Sequence, residues 1–518
     1  MKKSSKVIVL LLSIYTSASW ADSMLGPARP TTVVPAGGIP DLISVSEPKA
    51  KRFFAVGLFT STIGVGWRCT ATLIASSKTP DPAQPALMLT AGHCANPSGL
   101  TGDNEVVIDR PMPPGWQFIP AFFHDNKDDH IPVPVKRIVY SSMKSTEIAV
   151  LELDATYGEL SSRQIEPLVL TSFNTSTQKI DIAHIPLGPF PGGSFLRYSA
   201  CNVMSARPVF EGYYPIREDL PWFWPKALPS DCIGVYGGSS GSPVFDKDGK
   251  RVVGVLSTAV APSLNGCGFA RPCEITGDGM KSRPDAVYFN SVDQILLALK
   301  ADNTLDLSKL DQGDGVGLTR VGSWSTRSEV ADASGKLQPA RWNLKIDPAF
   351  QRIRYKTGPA GSIQCDQPKG YGESLPVADQ PFLQLPVDSK EGIQAICVIG
   401  QKTGQTAWQL ERHATIKLRQ IDNTAPVDRP VIVLAEDNSE FWVVLSLLNL
   451  NEIVSVYVKY GPLDSTDCAN ADGYVLQVSE EPIDLPKPAN WRFCTYGTDE
   501  AGNESPPVSR DFEASRKG

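Results

Sequence analysis

The 518-residue chain has no uninterrupted apolar run of the ~18 residues that a membrane-spanning helix requires. It therefore offers no membrane span. Positive charge is also short: 49 lysines and arginines face 56 aspartates and glutamates, a formal net charge of -7, with both signs scattered along the chain. A nucleic-acid partner, which needs clustered positive charge, is not expected. No two of the ten cysteines have CxxC spacing, so nothing argues for zinc. No cofactor or metal is implied. Missing too is the alternation of strands and helices that marks a doubly wound sheet; short β-branched and aromatic runs are instead punctuated by Pro, Gly, Asn and Asp.

What is present begins with "MKKSSKVIVLLLSIYTSASWA", a cationic start, an apolar stretch from Val7 to Leu12 and small residues at Ser19 and Ala21. These are the parts of an export signal peptide over residues 1–21. Losing Lys2, Lys3 and Lys6 with it takes the formal charge to about -10. The expected location is secreted, extracellular, with the periplasm as the alternative. All ten cysteines lie beyond this segment, and an even number in an oxidising compartment favours disulfides.

An internal repeat organises the second half. "KTGPAGSIQC" from Lys356 to Cys365 returns as "KYGPLDSTDC" from Lys459 to Cys468, each followed five residues after the cysteine by a Gly-Tyr pair. A second cysteine closes each copy, in "AICVIG" around Cys397 and "RFCTYG" around Cys494. The simplest pairing is internal to each copy, Cys365 with Cys397 and Cys468 with Cys494. Strand-like runs between these landmarks predict two repeated β-sandwich domains, 323–424 and 425–518, after a polar, Gly-rich linker at 301–322. The phrase "TYGTDEAGNESPP" resembles the end of immunoglobulin-like or fibronectin type III-like modules of bacterial surface proteins. That resemblance implies a surface, protein or glycan ligand, or a spacer role. Upstream, "SVDQILLALK" has helical spacing and closes an N-terminal domain over 49–300, preceded by a Pro-rich arm or propeptide at 22–48.

Three short phrases in that domain carry chemistry. "CTATLIASSKTPDPAQPALMLTAGHC" leads from Cys69 to His93 and Cys94, "STEIAVLELD" sets Glu147 before an alternating strand, and "GGSSGSPVF" surrounds Ser240 with small residues. In this order they resemble the histidine, acid and serine motifs of chymotrypsin-type (trypsin-like) serine peptidases, the last phrase resembling the bacterial glutamyl-endopeptidase-like branch. The resemblance implies an all-β chymotrypsin-like double β-barrel and a secreted serine endopeptidase acting on polypeptides through an acyl-enzyme. His93 would be the general base, Glu147 its orienting acid, Ser240 the nucleophile, and the Gly238 and Ser240 N–H groups the oxyanion hole. It also implies a Cys69–Cys94 bridge and places Cys201 and Cys232 where related enzymes bridge the second barrel. Cys267 and Cys273 would close a small loop.

Two departures stand out. The family almost always has Asp where this chain has Glu147, and its extra methylene must be absorbed by the backbone. Asp128 and Asp129 in "HDNKDDH" are the rival acids, read with His124 and His130 as a solvated loop that could at most hold a weak metal site. Ser239 stands where digestive members carry the aspartate that pairs with a newly cut N-terminus, which argues against that switch. "GGSSG" also fits the nucleophile elbow of α/β-hydrolases around Ser239, but that fold needs its histidine after the serine, and His413 lies in the repeat region. Between Cys232 and Ser240, where the resemblance places the pocket floor, there is no charge, so basic substrates are disfavoured unless Asp231 reaches in. The different-class alternative is a catalytically inactive peptidase-like adhesin or binding protein.

Overall fold

A computed structural model describes residues 38–513, apart from 64–67, 97–101, 175, 177, 214–216, 261–266, 269–270, 278, 379–380, 437–439, 447–451, 479–481 and 488. The export signal and most of the Pro-rich arm lie outside the described residues. Six strands form the first ring: β1 (Val56–Ser61), β2 (Arg68–Ala75), β3 (Pro85–Thr90), β4 (Trp116–Pro120), β5 (Val133–Ser142) and β6 (Ile148–Thr156). Their order is β1-β4-β5-β6-β3-β2, and the β1–β2 pairing closes the sheet into a barrel. Closure leaves this ring without a free edge strand.

A second set of six follows, β7 (Lys179–His184), β8 (Arg197–Asn202), β9 (Arg217–Ser230), β10 (Pro243–Phe245), β11 (Val252–Ala259) and β12 (Val287–Ser291), in the order β8-β7-β10-β11-β12-β9. Its two ends meet through the bridge Val203–Ser230 and the Met204 N–H to Pro229 carbonyl bond of 2.8 Å. The Cys201–Cys232 disulfide lies beside that closure. Phe53, Phe59 and Phe118 of the first ring share one continuous core with Leu196, Phe245, Val255 and Ile295 of the second. The helix expected from "SVDQILLALK" spans Asp293–Ala298 and turns Ile295 and Ala298 inward.

Of the arm, residues 38–48 are folded: the strand Asp41–Leu42 pairs with β8, and Ile43 is fully buried. The stretch 301–322 is likewise packed, with Leu310 in the barrel core and Val316 in the next one. There, a five-stranded sheet containing Phe350–Pro359, Gly392–Lys402 and Thr415–Ile421 and a three-stranded sheet containing Leu344–Ile346 enclose Trp342, Phe350, Ile396 and Val398. Three- and four-stranded sheets repeat the arrangement over 431–512 around Phe441, Leu485 and Phe493.

The repeated phrases have a physical role. Lys356 donates to the carbonyls of Gln364 (2.5 Å), Gln367 (2.6 Å) and Lys369 (3.1 Å), while the Tyr371 hydroxyl donates to the Cys365 carbonyl at 2.8 Å. Lys459 and Tyr474 hold the carbonyls of Asp467, Asn470 and Cys468 in the same way. Lysine and tyrosine thus staple the loop that the Cys365–Cys397 and Cys468–Cys494 disulfides anchor. With Cys69–Cys94 and Cys267–Cys273 the disulfides number five, and no cysteine is free.

Candidate active site

Strands β3 and β6 pair antiparallel, Thr90 opposite Ala149. The end of one and the start of the other therefore lie side by side, which brings His93, on a single 3-10 turn after β3, next to Glu147, the residue before β6. Both are buried, His93 at 3% and Glu147 at 1% exposure. The Glu147 carboxylate accepts from the His93 backbone N–H at 3.3 Å and contacts ring Nδ1 through the same oxygen. Nε2, the other ring nitrogen, lies 3.5 Å from Cys94 Sγ. The Cys69–Cys94 disulfide fastens this turn to β2. Gly92 must be glycine, because a Cβ there would sit 2.3 Å from the Ser142 carbonyl oxygen.

Ser240 sits on a turn before β10, flanked by Gly238 at φ 88° and Gly241 at φ 83°. Both are left-handed positions that favour glycine. A Cβ on Gly241 would lie 2.2 Å from the Thr70 carbonyl oxygen and 3.0 Å from the Ala91 nitrogen. That close approach sets the serine turn against the segment carrying His93. Thr70 ties the turn down, its N–H donating to the Ser240 carbonyl and its hydroxyl to the Gly238 carbonyl, each at 2.8 Å. Among the described residues Ser239, Gly241 and Ser242 spend their N–H groups on backbone carbonyls, whereas Gly238 and Ser240 do not.

The Ser240 hydroxyl is buried and makes no hydrogen bond, so no bond joins it to His93 Nε2 in this structure. Such bonds are often long before substrate binds. A buried hydroxyl left unpartnered costs roughly 1–3 kcal/mol and calls for a reason. The rival acids are elsewhere: Asp128 and Asp129 lie exposed on the 3-10 turn Lys127–Asp129. His124 points Nδ1 at the Ile43 carbonyl, and His130 stacks on Phe122. Asp231 is engaged with Asn202, at 2.6 Å to its N–H and 2.8 Å to Nδ2.

The sequence reading missed His184. Fully buried at the end of β7, its Nδ1 lies 2.9 Å from the Ser239 hydroxyl, which accepts from the Tyr236 N–H at 3.3 Å. Burial pushes the His184 pKa down to about 3, and the charge of Arg197 across the sheet adds to it. A neutral imidazole therefore holds the residue preceding Ser240. No local pattern betrays a partnership between residues 55 apart.

The fold and the matched domain define a serine endopeptidase, a hydrolase. Residues 69–255 match the family model of the trypsin-like peptidase domain. No curated protein matches the chain. Among solved structures it is similar to a thermostable serine protease AL20 from an extremophilic microorganism, with 16% identity over 46% of this chain and 92% of that one at a TM-score of 0.28. The protease Anisep from Arthrobacter nicotinovorans shows 15% identity over 46% and 90% at 0.30. A Glu endopeptidase shows 16% over 44% and 87% at 0.24. At such scores these neighbours add no argument to the domain match.

Proposed function

We propose that the chain is an exported endopeptidase using Ser240, His93 and Glu147 as its triad. The observation that carries this reading is the Glu147 carboxylate, which engages both the backbone N–H and Nδ1 of His93. With Nδ1 so held, the proton-accepting lone pair sits on Nε2, the nitrogen left for the nucleophile. In the reaction Ser240 Oγ bonds to the scissile carbonyl carbon as its proton passes to Nε2. The negative oxygen then draws on the unspent N–H groups of Gly238 and Ser240, each worth about 2.7–4 kcal/mol at such sites. Collapse breaks the C–N bond, Nε2 protonates the leaving amine, and water repeats the cycle on the acyl-enzyme.

Five disulfides suit an oxidising compartment. No described helix is long and apolar enough to cross a membrane. The stretch Cys232–Ser240 holds no charge, and Asp231 is taken up by Asn202, so an uncharged side chain before the scissile bond fits best. The unbonded Ser240 hydroxyl favours a second reading, a catalytically silent adhesin. A serine-directed fluorophosphonate separates the two. Stoichiometric labelling of wild type, absent in Ser240→Ala, supports the peptidase; folded wild-type protein that stays unlabelled supports the adhesin. A peptide-library cleavage profile then reads the pocket.

A further inference from the structure

We propose that the first C-terminal sandwich is a working part of the catalytic site and that Lys144 is a positioning residue acting through Glu147. The proposal rests on the triad reading above. Residues 143–147 form the loop between β5 and β6, and Ser141 and Ser142 are the last residues of β5. On one side the end of β5 that leads into the loop backs the histidine: the Ser141 hydroxyl donates to the Gly92 carbonyl at 3.3 Å, and the Ser142 carbonyl lies close against Gly92. On the other it leads through Ser145, held at φ 60°, into Glu147. Movement of this loop would displace the acid and the support of His93 together.

The loop is held from outside the barrels. Lys144 is only 5% exposed, and its ammonium lies 2.5 Å from Asp311 Oδ2 and donates to the His413 carbonyl at 3.1 Å. Behind them the His413 Nδ1 pairs with Asp314 at 2.8 Å, and Asp314 with Lys402 at 3.0 Å. Ser142 stiffens the lysine from within, its hydroxyl accepting from the Lys144 N–H at 3.1 Å and lying 3.2 Å from the Lys144 carbonyl oxygen.

A neighbouring barrel segment is clamped by the same sandwich. Asn104 exchanges two hydrogen bonds with the backbone of Ile416, at 2.8 and 3.0 Å, and Asp103 pairs with Lys417 at 2.8 Å. The Met143 N–H joins the two segments by donating to the Glu105 carbonyl at 3.1 Å. Ser145 and Thr146 border a cavity of about 680 Å³ between barrel and sandwich. On that flank the loop has space to move into, and the buried Lys144–Asp311 pair is one of the contacts that restrain it. A spacer domain would need none of this.

The test uses the full chain and the rate at which a fluorophosphonate phosphonylates Ser240 with loss of fluoride, with turnover of a short peptide ester alongside. Lys144→Met and Asp311→Asn should each slow phosphonylation and lower kcat roughly tenfold to a hundredfold, with KM within about twofold because no substrate contact is touched. In a Glu147→Gln background Lys144→Met should cost nothing further, since the residue through which it acts is already disabled. Asp311→Asn, on the 301–322 stretch, repeats the measurement if Lys144→Met fails to fold. Wild-type phosphonylation rates in Lys144→Met or Asp311→Asn, or the same fold-loss with and without Glu147, overturn the proposal. A wild type that is not phosphonylated, or a Glu147→Gln variant as fast as wild type, instead defeats the triad reading and this proposal with it.

Discussion

His184 offers the most quantitative prediction. Its pKa falls from an ordinary 6.5 to about 3 because burial disfavours the imidazolium and the Arg197 guanidinium repels it. Between those values the unfolded chain binds a proton that the folded chain refuses, so stability rises with pH across this window and is lost as pH falls through it. At about 1.4 kcal/mol per pH unit the whole interval amounts to about 5 kcal/mol, comparable with the stability of a small domain. From pH 7 to pH 4 the expected loss from this group alone is about 3 kcal/mol.

The loss should be local before it is global. An imidazolium cannot stay buried against the Ser239 hydroxyl with its Nε2 unpartnered, so the turn Tyr236–Ser242 that presents Ser240 loosens first. Hydrogen exchange of those amides at pH 7 and pH 4, in wild type and in His184→Gln, isolates the effect from unfolding of the C-terminal sandwiches and from carboxylates common to both proteins. Protection should fall steeply in wild type and weakly in the variant. Equal pH slopes in the two proteins would refute the reasoning.

Three further outcomes follow from the same geometry. Glu147→Gln should lower kcat by about 10⁴ with the fold intact, because the tautomer-holding charge is lost; near-normal turnover on a chromogenic peptide would return the role to another carboxylate. Gly241→Ala forces a Cβ to within 2.2 Å of the Thr70 carbonyl oxygen at φ 83°, so denaturant unfolding should show a loss of roughly 2–4 kcal/mol in the barrel half, together with slowed labelling of Ser240. Lys356→Met leaves the carbonyls of Gln364, Gln367 and Lys369 without their donor; about 1.5–3 kcal/mol should go from the first sandwich, measured as a lower urea midpoint for its Trp342 signal, with peptide-ester turnover little changed.

Much of the molecule could be read before folding because it is encoded in short stretches. The phrase around His93, the serine turn with Gly238 and Gly241, and the repeated Lys-Gly-Pro-to-Cys phrases each place residues of fixed type at small separations. The turn's positive φ favours glycine at 238 and 241 by itself. The even cysteine count and the internal repeat led to pairs that the disulfides contain. What stayed hidden depends on elements far apart in the chain. His184 has an unremarkable neighbourhood, and only the pairing of β7 with β8 and β10 sets it beneath Ser239. Lys144 reads as one more surface lysine until Asp311 and His413 fold over it.

Sequence alone thus determined the residue types able to do acyl-transfer chemistry, the all-β character of the chain, and the cysteines that can cross-link, since each follows from local composition and spacing. Tertiary structure decided which carboxylate meets His93, which imidazole holds the serine turn, and that the stretch 301–322 binds barrel to sandwich rather than separating them. The physical reason is one of range: turn geometry and strand propensity act over a few residues, whereas hydrogen-bond partners and burial are settled only when distant segments pack into one interior.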